Sequence, residues 1–226
     1  MLIERPPKLF RLLLPKGLYR PREKGHKCVY LTFDDGPIPV VTPWVLDLLD
    51  RYGIKATFFM VGENAGRHPE LLAEVRRRGH SVGNHTFHHL QGAKVTSMRY
   101  LRDIEHANEM LQTRLFRPPH GWLRPAQART VSRKYRLVMY DLITRDYSWR
   151  LDARRVFRNV RRYTRTGSVI VFHDSLKSWP RLETALPQSL EWLIEQGYEF
   201  RTLDQYFDSL PPEKERKRKG RAGRKQ

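Results

Sequence analysis

Cysteine and long apolar runs are both scarce in this 226-residue chain. Its one cysteine, Cys28, excludes an internal disulfide, which fits a reducing compartment. The apolar run at residues 12–14 is short and lies between Arg11 and Lys16. A signal peptide needs roughly 7–15 apolar residues, and a membrane span needs roughly 20. The sequence therefore predicts neither, and we expect a cytoplasmic or peripherally membrane-associated protein.

Acidic residues are scarce as well, with 24 Asp and Glu against 43 Lys and Arg and a net charge of +19. Residues 1–27 carry +6 and are predicted to form a basic segment packed on or leading into the domain of residues 28–210. Residues 211–226 are predicted to be a basic disordered tail that could contact an anionic surface. The alternative is that this charge only keeps the protein soluble. The tail lacks interleaved aromatic residues, so no obligate nucleic-acid partner is expected, and the oligomeric state stays open.

Apolar runs alternate with amphipathic helical patterns along the chain. The runs predict strands at 29–33, 56–61, 81–83, 136–140, 168–172 and 198–200. The helical patterns cover 41–52, 69–78, 96–115, 124–134, 151–163, 182–196 and 203–207. Such alternation predicts an α/β fold with parallel strands covered by helices. Because the strands are short and irregular, we expect a distorted (β/α) barrel of about seven strands rather than a doubly wound sheet.

Polar residues follow three of the predicted strands. Asp34 and Asp35 come after the first strand, His85 after the third, and His173 directly after the run at 168–172. In parallel α/β folds the carboxyl ends of the strands carry the active site. We therefore expect these separate segments to converge at one edge of the sheet.

The adjacent carboxylates of Asp34 and Asp35 lie at a strand-to-turn junction. Successive strand residues point to opposite sides, so one acid can bind a cation while the other stays free as a base. An ordinary Asp-Gly turn is the alternative interpretation. His85 and His89 are four residues apart, and on one face of a helical turn both could reach one ion. Two imidazoles and one carboxylate leave an open position for water, as in catalytic zinc sites, whereas His88 is predicted to point elsewhere.

Two more segments have residue types suited to this chemistry. His173 could give a proton to a leaving amine near neutral pH, or it could be a hydrogen-bonded structural histidine. In the segment 116–122, prolines stiffen the chain, Arg117 suits a buried carboxylate partner, and Gly121 allows close approach of the backbone to a ligand.

In chain order, these segments resemble the five motifs of the polysaccharide deacetylase family, also called the NodB-homology domain and carbohydrate esterase family 4. The matching segments are 32–36 (TFDDG), 85–89 (HTFHH), 117–121 (RPPHG), Asp146 with Tyr147, and 171–173 (VFH). The resemblance extends over residues 29–207. It departs at the fourth motif, where Ile143 replaces the usual first Asp and Tyr147 replaces the usual Trp.

The resemblance implies a role for each matched residue. Asp34 would be the general base, His173 the general acid, and Arg117 the side chain that orients the base. One divalent metal ion, usually zinc in this family with cobalt or manganese as alternatives, would be bound by Asp35, His85 and His89. The backbone N–H of His120 would stabilise an oxyanion, and Asp146 would orient His173. Substrate or oxyanion contacts are further expected at Pro119, Tyr147 and Val171.

The expected activity is removal of N-acetyl groups from an amino-sugar polysaccharide or oligosaccharide by metal-assisted hydrolysis. The same metal site would also suit a non-sugar amidase, a deformylase or an O-acetyl esterase. A protein of another class, a carbohydrate-binding protein without catalysis, is also compatible with the charge, although every expected site residue is present.

Overall fold

The computed structural model describes residues 4–7, 11–12, 14, 16–23 and 25–211. Its strands are Cys28–Asp34 (β1), Thr57–Met60 (β2), Ser81–Asn84 (β3), Leu115–Phe116 (β4), Arg136–Leu137 (β5), Leu142–Ile143 (β6), Val169–His173 (β7) and Glu199–Phe200 (β8). They pair in parallel in the order β5-β4-β3-β2-β1-β7-β6, and β8 also pairs with β1. The seven-strand path curls into a half-barrel, which confirms the predicted α/β class.

Helices connect the strands and cover the outside of the sheet. They are Val41–Arg51 (α1), Gly62–Arg67 (α2), Pro69–Arg77 (α3), Ser97–Leu111 (α4), Pro125–Lys134 (α5), Ala153–Tyr163 (α6), Trp179–Glu195 (α7) and Leu203–Asp208 (α8). Short 3-10 turns occupy Gly92–Lys94 and Pro119–Gly121. Thr96 and Asp152 cap α4 and α6 by accepting the N–H groups of Arg99 and Arg155, at 3.3 and 2.7 Å.

The sequence prediction missed strands β4 and β6 and helix α2, and it placed one end of three other elements wrongly by three or more residues. Helix α4 ends at Leu111 instead of 115, because Gln112 adopts a left-handed conformation with φ of 37°. Helix α7 begins at residue 179 instead of 182, with a proline in its first turn, where the missing N–H costs nothing. Strand β5 ends at Leu137 instead of 140, and the next residue, Val138, bridges to Leu18.

Strand β1 is buried along its whole length and lies between β2 and β7. Phe33 stacks on Phe58 and Phe172 with ring centroids 5.0 and 6.2 Å apart. The register between β1 and β7 also pairs Asp34 with His173. A strand held on both edges and both faces has little freedom, so the packing of β1 fixes the position of the carboxylate at its end.

The described part of the N-terminal segment contacts the barrel. The Leu18 N–H donates to the Leu137 carbonyl, and the Met139 N–H donates to the Leu18 carbonyl, both at 2.8 Å. Arg11 and Arg165 pair with the fully buried Asp141 at 3.0 and 2.6 Å. Burial by itself would raise the pKa of Asp141, but the bonds from Arg165 and Ser168 hold it below its ordinary value. Residues 212–226, most of the predicted disordered tail, lie outside the described residues.

Candidate active site

A cavity of about 310 Å³ opens at the carboxyl ends of the strands. We call this edge of the half-barrel the mouth. The cavity is lined by Asp34, Asp35, His85, His89, Arg117, Pro118, His120, Gly121, Met139, Tyr140, Ile143, Tyr147, Val171, His173 and Lys177. Nine of the eleven predicted site residues lie on its wall, as expected for parallel strands that end at one edge. The exceptions are Asp146, which contacts the wall residue His173, and Pro119, which is buried while Pro118 lines the cavity.

Asp34 is held by a buried arginine that directly follows strand β4. Arg117 Nη1 donates to Asp34 Oδ1 at 2.6 Å and to Thr32 Oγ1 at 2.8 Å, while Nη2 donates to the Met139 carbonyl at 3.1 Å. The guanidinium also lies 4.0 Å from the centre of the Phe59 ring. Burial lowers the pKa of Arg117, and Asp34 opposes that shift. A buried arginine needs such partners, so the bonds orient Asp34 and satisfy the arginine together.

Asp35 faces the same cavity as Asp34, which corrects the expectation that the two acids point to opposite sides. Strand β1 ends at Asp34, and Asp35 adopts φ of 80°, so strand alternation stops between them. Asp35 Oδ1 lies 3.1 Å from His89 Nε2 and 3.7 Å from His85 Nε2. Burial alone would raise the pKa of Asp35, but the hydrogen bond from His89 and the nearby histidines hold it well below its ordinary value.

Asp35, His85 and His89 form the candidate metal site. One ligand atom from each lies within 4.8 Å of the other two. His85 Nδ1 lies 2.8 Å from the Arg117 carbonyl oxygen. Because a carbonyl oxygen only accepts, this ring nitrogen carries the proton and Nε2 keeps a free lone pair. Burial lowers the pKa of His85 to about 4, so the ring is neutral, as a metal ligand must be.

The segment that carries both histidines is a loop, so the predicted helical turn is wrong. Thr86 and His89 adopt positive φ values of 64° and 53°. Asp103 on α4 holds the loop by accepting the N–H groups of Phe87 and His88 at 2.9 and 3.0 Å. Asp103 Oδ1 also pairs with the His88 ring, which points away from the metal site as expected. These bonds to a distant helix replace the helical bonds that the spacing suggested.

His173 is paired with a fully buried carboxylate. Its Nδ1 lies 2.8 Å from Asp146 Oδ1, and its backbone N–H donates to Asp146 Oδ2, also at 2.8 Å. Burial by itself would lower the pKa of His173, but Asp146 and the acids of the site raise it to about 9. The Tyr147 ring meets the His173 ring edge to face at 4.8 Å. His173 therefore carries a proton at neutral pH and is fixed in orientation.

The turn at Pro119–Gly121 and a small apolar cluster form two further parts of the cavity lining. His120 has φ of 59° within the turn Pro119–Gly121, and its ring packs at 4.7 Å against that of His89. Burial lowers the pKa of His120. Val171, on β7, and Tyr147 belong to a small apolar cluster whose other members, Tyr140 and Ile143, also line the cavity. The cavity thus combines a charged floor with an apolar wall.

Several supporting residues escaped the sequence analysis. Asp174 is fully buried and accepts the Gly36 N–H at 3.1 Å and the Thr42 hydroxyl at 2.6 Å. Burial raises the pKa of Asp174 to about 8. The position of Asp174 directly after His173 could have identified it from the sequence. Asp103 could also have been identified, because it occupies the inward face of α4 between Tyr100 and Ala107.

The fold and these side chains define the class of the protein as an α/β half-barrel hydrolase. The family model described as polysaccharide deacetylase matches residues 21–140, and the chain belongs to the polysaccharide deacetylase family, whose hydrolases act on amide bonds. The family resemblance found in the sequence is thereby confirmed.

Two curated relatives and one solved structure illustrate the similarity. A peptidoglycan-N-acetylglucosamine deacetylase of Bacillus cereus is 33% identical over 195 residues, or 80% of this chain and 88% of the relative. The deacetylase PgdA of Listeria monocytogenes is 33% identical over 193 residues, or 83% of this chain and only 40% of that longer protein. The solved peptidoglycan N-acetylglucosamine deacetylase bound to 4-naphthalen-1-yl-N-oxidanyl-benzamide superposes with a TM-score of 0.77 at 32% identity, covering 86% of this chain and 93% of that one.

Proposed function

We propose that the chain is a metal-dependent deacetylase that hydrolyses the N-acetyl amide of an amino-sugar polysaccharide or oligosaccharide of peptidoglycan or chitin type. The observation that carries this proposal is that one cavity holds a candidate base, a candidate metal site and a candidate acid. A carboxylate locked by Arg117, a candidate metal triad and a protonated histidine line the same wall. The names of the similar deacetylases support an amino-sugar substrate.

The metal triad fits a divalent cation, and zinc is the ion we propose for it, with cobalt or manganese able to replace it. Two neutral imidazoles and one carboxylate form a three-ligand site with an open position. The bond from His85 to the Arg117 carbonyl fixes the ring nitrogen that would face the ion. A cation bound there supplies Lewis acidity, which polarises an acyl carbonyl and makes a water more acidic.

Asp34 is the base that takes the proton of the attacking water. Its Oδ2 lies 4.0 Å from His85 Nε2, close to the triad, while its Oδ1 is occupied by Arg117. One oxygen is therefore anchored and the other is free to accept a proton. An arginine is needed at position 117 because its guanidinium donates to Asp34, Thr32 and the Met139 carbonyl at once.

His173 is the acid that protonates the leaving nitrogen. With a pKa of about 9 it carries the proton near neutral pH, and Asp146 keeps its ring in place. We assign the His120 N–H as the donor to the oxyanion. His120 has a strained backbone conformation, and the two preceding prolines restrict the direction of its N–H. Tyr147 and Val171 form the apolar wall that receives the acetyl methyl group.

The test is a screen for released acetate and formate with zinc, cobalt and manganese. Peptidoglycan fragments and chitooligosaccharides are the expected substrates, while acetylated xylan and simple amides report the esterase and amidase alternatives. We expect Asp34→Asn to abolish turnover and to retain bound metal. Glu195→Gln, at an exposed acid on the last turn of α7, is the matched control. Cleavage confined to acetylated xylan, or full activity of Asp34→Asn, would overturn the proposal.

A further inference from the structure

Exposed apolar side chains are concentrated at the mouth. Seven large apolar residues are exposed in the described part of the chain, and five of them lie between the carboxyl end of a strand and the first turn of the helix that follows it. These five, which we call the rim, are Val40, Met98, Trp122, Trp149 and Leu176. Each follows a different strand, four of them on connections and Met98 in the first turn of α4. Trp149 and Leu176 are 78% and 68% exposed. Isolated exposed apolar residues are ordinary, but a set gathered around one opening marks an interaction site.

Basic residues accompany four of the five rim residues. Arg99, Arg150 and Lys177 directly follow Met98, Trp149 and Leu176 in the chain. Arg124 lies two residues after Trp122. All four basic residues are exposed, and none forms an ion pair with an acid of the described residues.

The basic residues at the rim differ from those of helices α2 and α3, which are paired with acids. On α3, Arg77 and Arg78 pair with Glu74, and Arg78 also reaches Asp50 at 3.0 Å. On α2, Arg67 pairs with Glu63 at 2.5 Å. The arginines of α2 and α3 are thus neutralised by neighbouring acids, whereas the four basic residues at the rim have no ion-pair partner among the described residues.

Helix α6 extends the positive surface from the rim. It starts three residues after Arg150 and carries five exposed arginines, at positions 154, 155, 158, 161 and 162, on the side opposite its buried Val156 and Val160. None of these arginines has an ion-pair partner in the described residues. A helix of this length presents them over about 12 Å, at a rise of about 1.5 Å per residue.

We infer that the rim docks the mouth of this protein on the surface of a bilayer that contains anionic lipids. Exposed apolar side chains with adjacent basic residues are the combination that binds such a surface, because the apolar groups enter the acyl boundary and the cations contact the headgroups. Docking through the rim turns the cavity toward the headgroups. The interface is independent of the proposed hydrolysis and is measured without turnover.

A soluble glycan is a weaker match for the same surface. Sugar rings stack on aromatic faces, and Trp122 and Trp149 could serve that purpose, but Val40, Met98 and Leu176 offer neither a ring face nor a hydrogen bond. All five rim residues gain from burial in hydrocarbon. The free arginines and lysine complement lipid phosphates, which recur across a flat surface.

A polarity-sensitive fluorophore attached at position 176 tests the inference in the full chain. Cys28 is buried, and burial raises the pKa of its thiol to about 11, so it remains unlabelled in the folded protein. Leu176→Cys places the label on the rim, and Ile194→Cys places it at the opposite edge as the matched control. Vesicles of phosphatidylcholine with phosphatidylglycerol should shift the emission at 176 to shorter wavelength and leave 194 unchanged. No shift at 176, or equal shifts at both positions, would overturn the inference, the second because it indicates contact without orientation.

Vesicle sedimentation at physiological salt provides a second readout. Arg99→Gln with Arg150→Gln should weaken binding about thirtyfold, because each basic side chain near an anionic bilayer contributes about fivefold. Arg51→Gln with Arg114→Gln removes two exposed arginines from the opposite edge and should have little effect. Equal losses for the two pairs would contradict docking through the rim. The rim is a sugar platform instead if Trp149→Ser weakens binding of soluble chitooligosaccharides and leaves vesicle binding unchanged.

Discussion

Replacing Asp146 by Asn tests the link between a buried carboxylate and the proton on His173. The Asp146 side chain holds both the ring and the backbone N–H of His173, and it is the largest influence that raises the pKa of His173 to about 9. Burial works in the opposite direction. Without the charge, we expect the pKa to return to its ordinary value of about 6.5 or below, a change of at least about 2 units or 3 kcal/mol.

Two measurements follow the proton directly. In the metal-free protein, the pKa of His173 is read from the ring signals in an NMR titration of wild type and Asp146→Asn. The protonated fraction at pH 7.5 should fall from nearly all to about a tenth. In the metal-loaded enzyme, the basic limb of the kcat/KM profile should move to lower pH. Glu195→Gln provides the control. A His173 pKa that stays within about half a unit of the wild-type value would refute the role of Asp146.

The same shift predicts how stability depends on pH. The folded pKa of His173 lies above its unfolded value, so its contribution is complete below about pH 6.5 and is lost as the pH rises through about 9. The loss amounts to about 3 kcal/mol over this window. Urea unfolding at both ends of the window should show a decrease in wild type that is about 3 kcal/mol larger than the decrease in Asp146→Asn, which keeps any contribution from Asp174. An equal decrease in the two proteins would contradict the reasoning.

Three further predictions concern the residues that support the site. A Cβ in Gly36→Ala would lie 2.0 Å from the buried Asp174 carboxylate, so we expect Tm to fall by at least about 5 °C, and an unchanged thermal scan would contradict the clash. Asp103→Ala frees the loop N–H groups of Phe87 and His88, so metal affinity measured by calorimetry should weaken about tenfold, whereas wild-type affinity would show that the loop holds itself. The folded pKa of Asp174 is raised from 3.8 to about 8, so the free energy of unfolding should decrease as the pH rises between these values. In Asp174→Asn, urea unfolding should depend less on pH over this range. A pH dependence equal to that of wild type would contradict the prediction.

The predicted elements were accurate where the information is local in the sequence. Apolar runs and helical periodicity depend on nearby residues, and the structure contains the strands and helices that they predicted. Convergence of the strand ends was also predictable, because every strand in a parallel sheet ends at the same edge. The wrong helical turn at residues 85–89 shows the limit. A spacing of four residues fits a helix, but contacts with Asp103 on another element decided the conformation.

By itself, the sequence determined the α/β class, the residue types of the site and the family, since these follow from periodicity and ordered motifs. Only the tertiary structure decided that Asp34 and Asp35 face the same cavity and that Arg117 bonds a carboxylate 83 positions away. The same is true of the bonds by which Asp103 and Asp174 hold the loops of the site. The tertiary structure also brought the rim together from five separate segments of the chain. The physical reason is that such contacts join residues remote in the chain, and their geometry depends on packing that no local pattern contains.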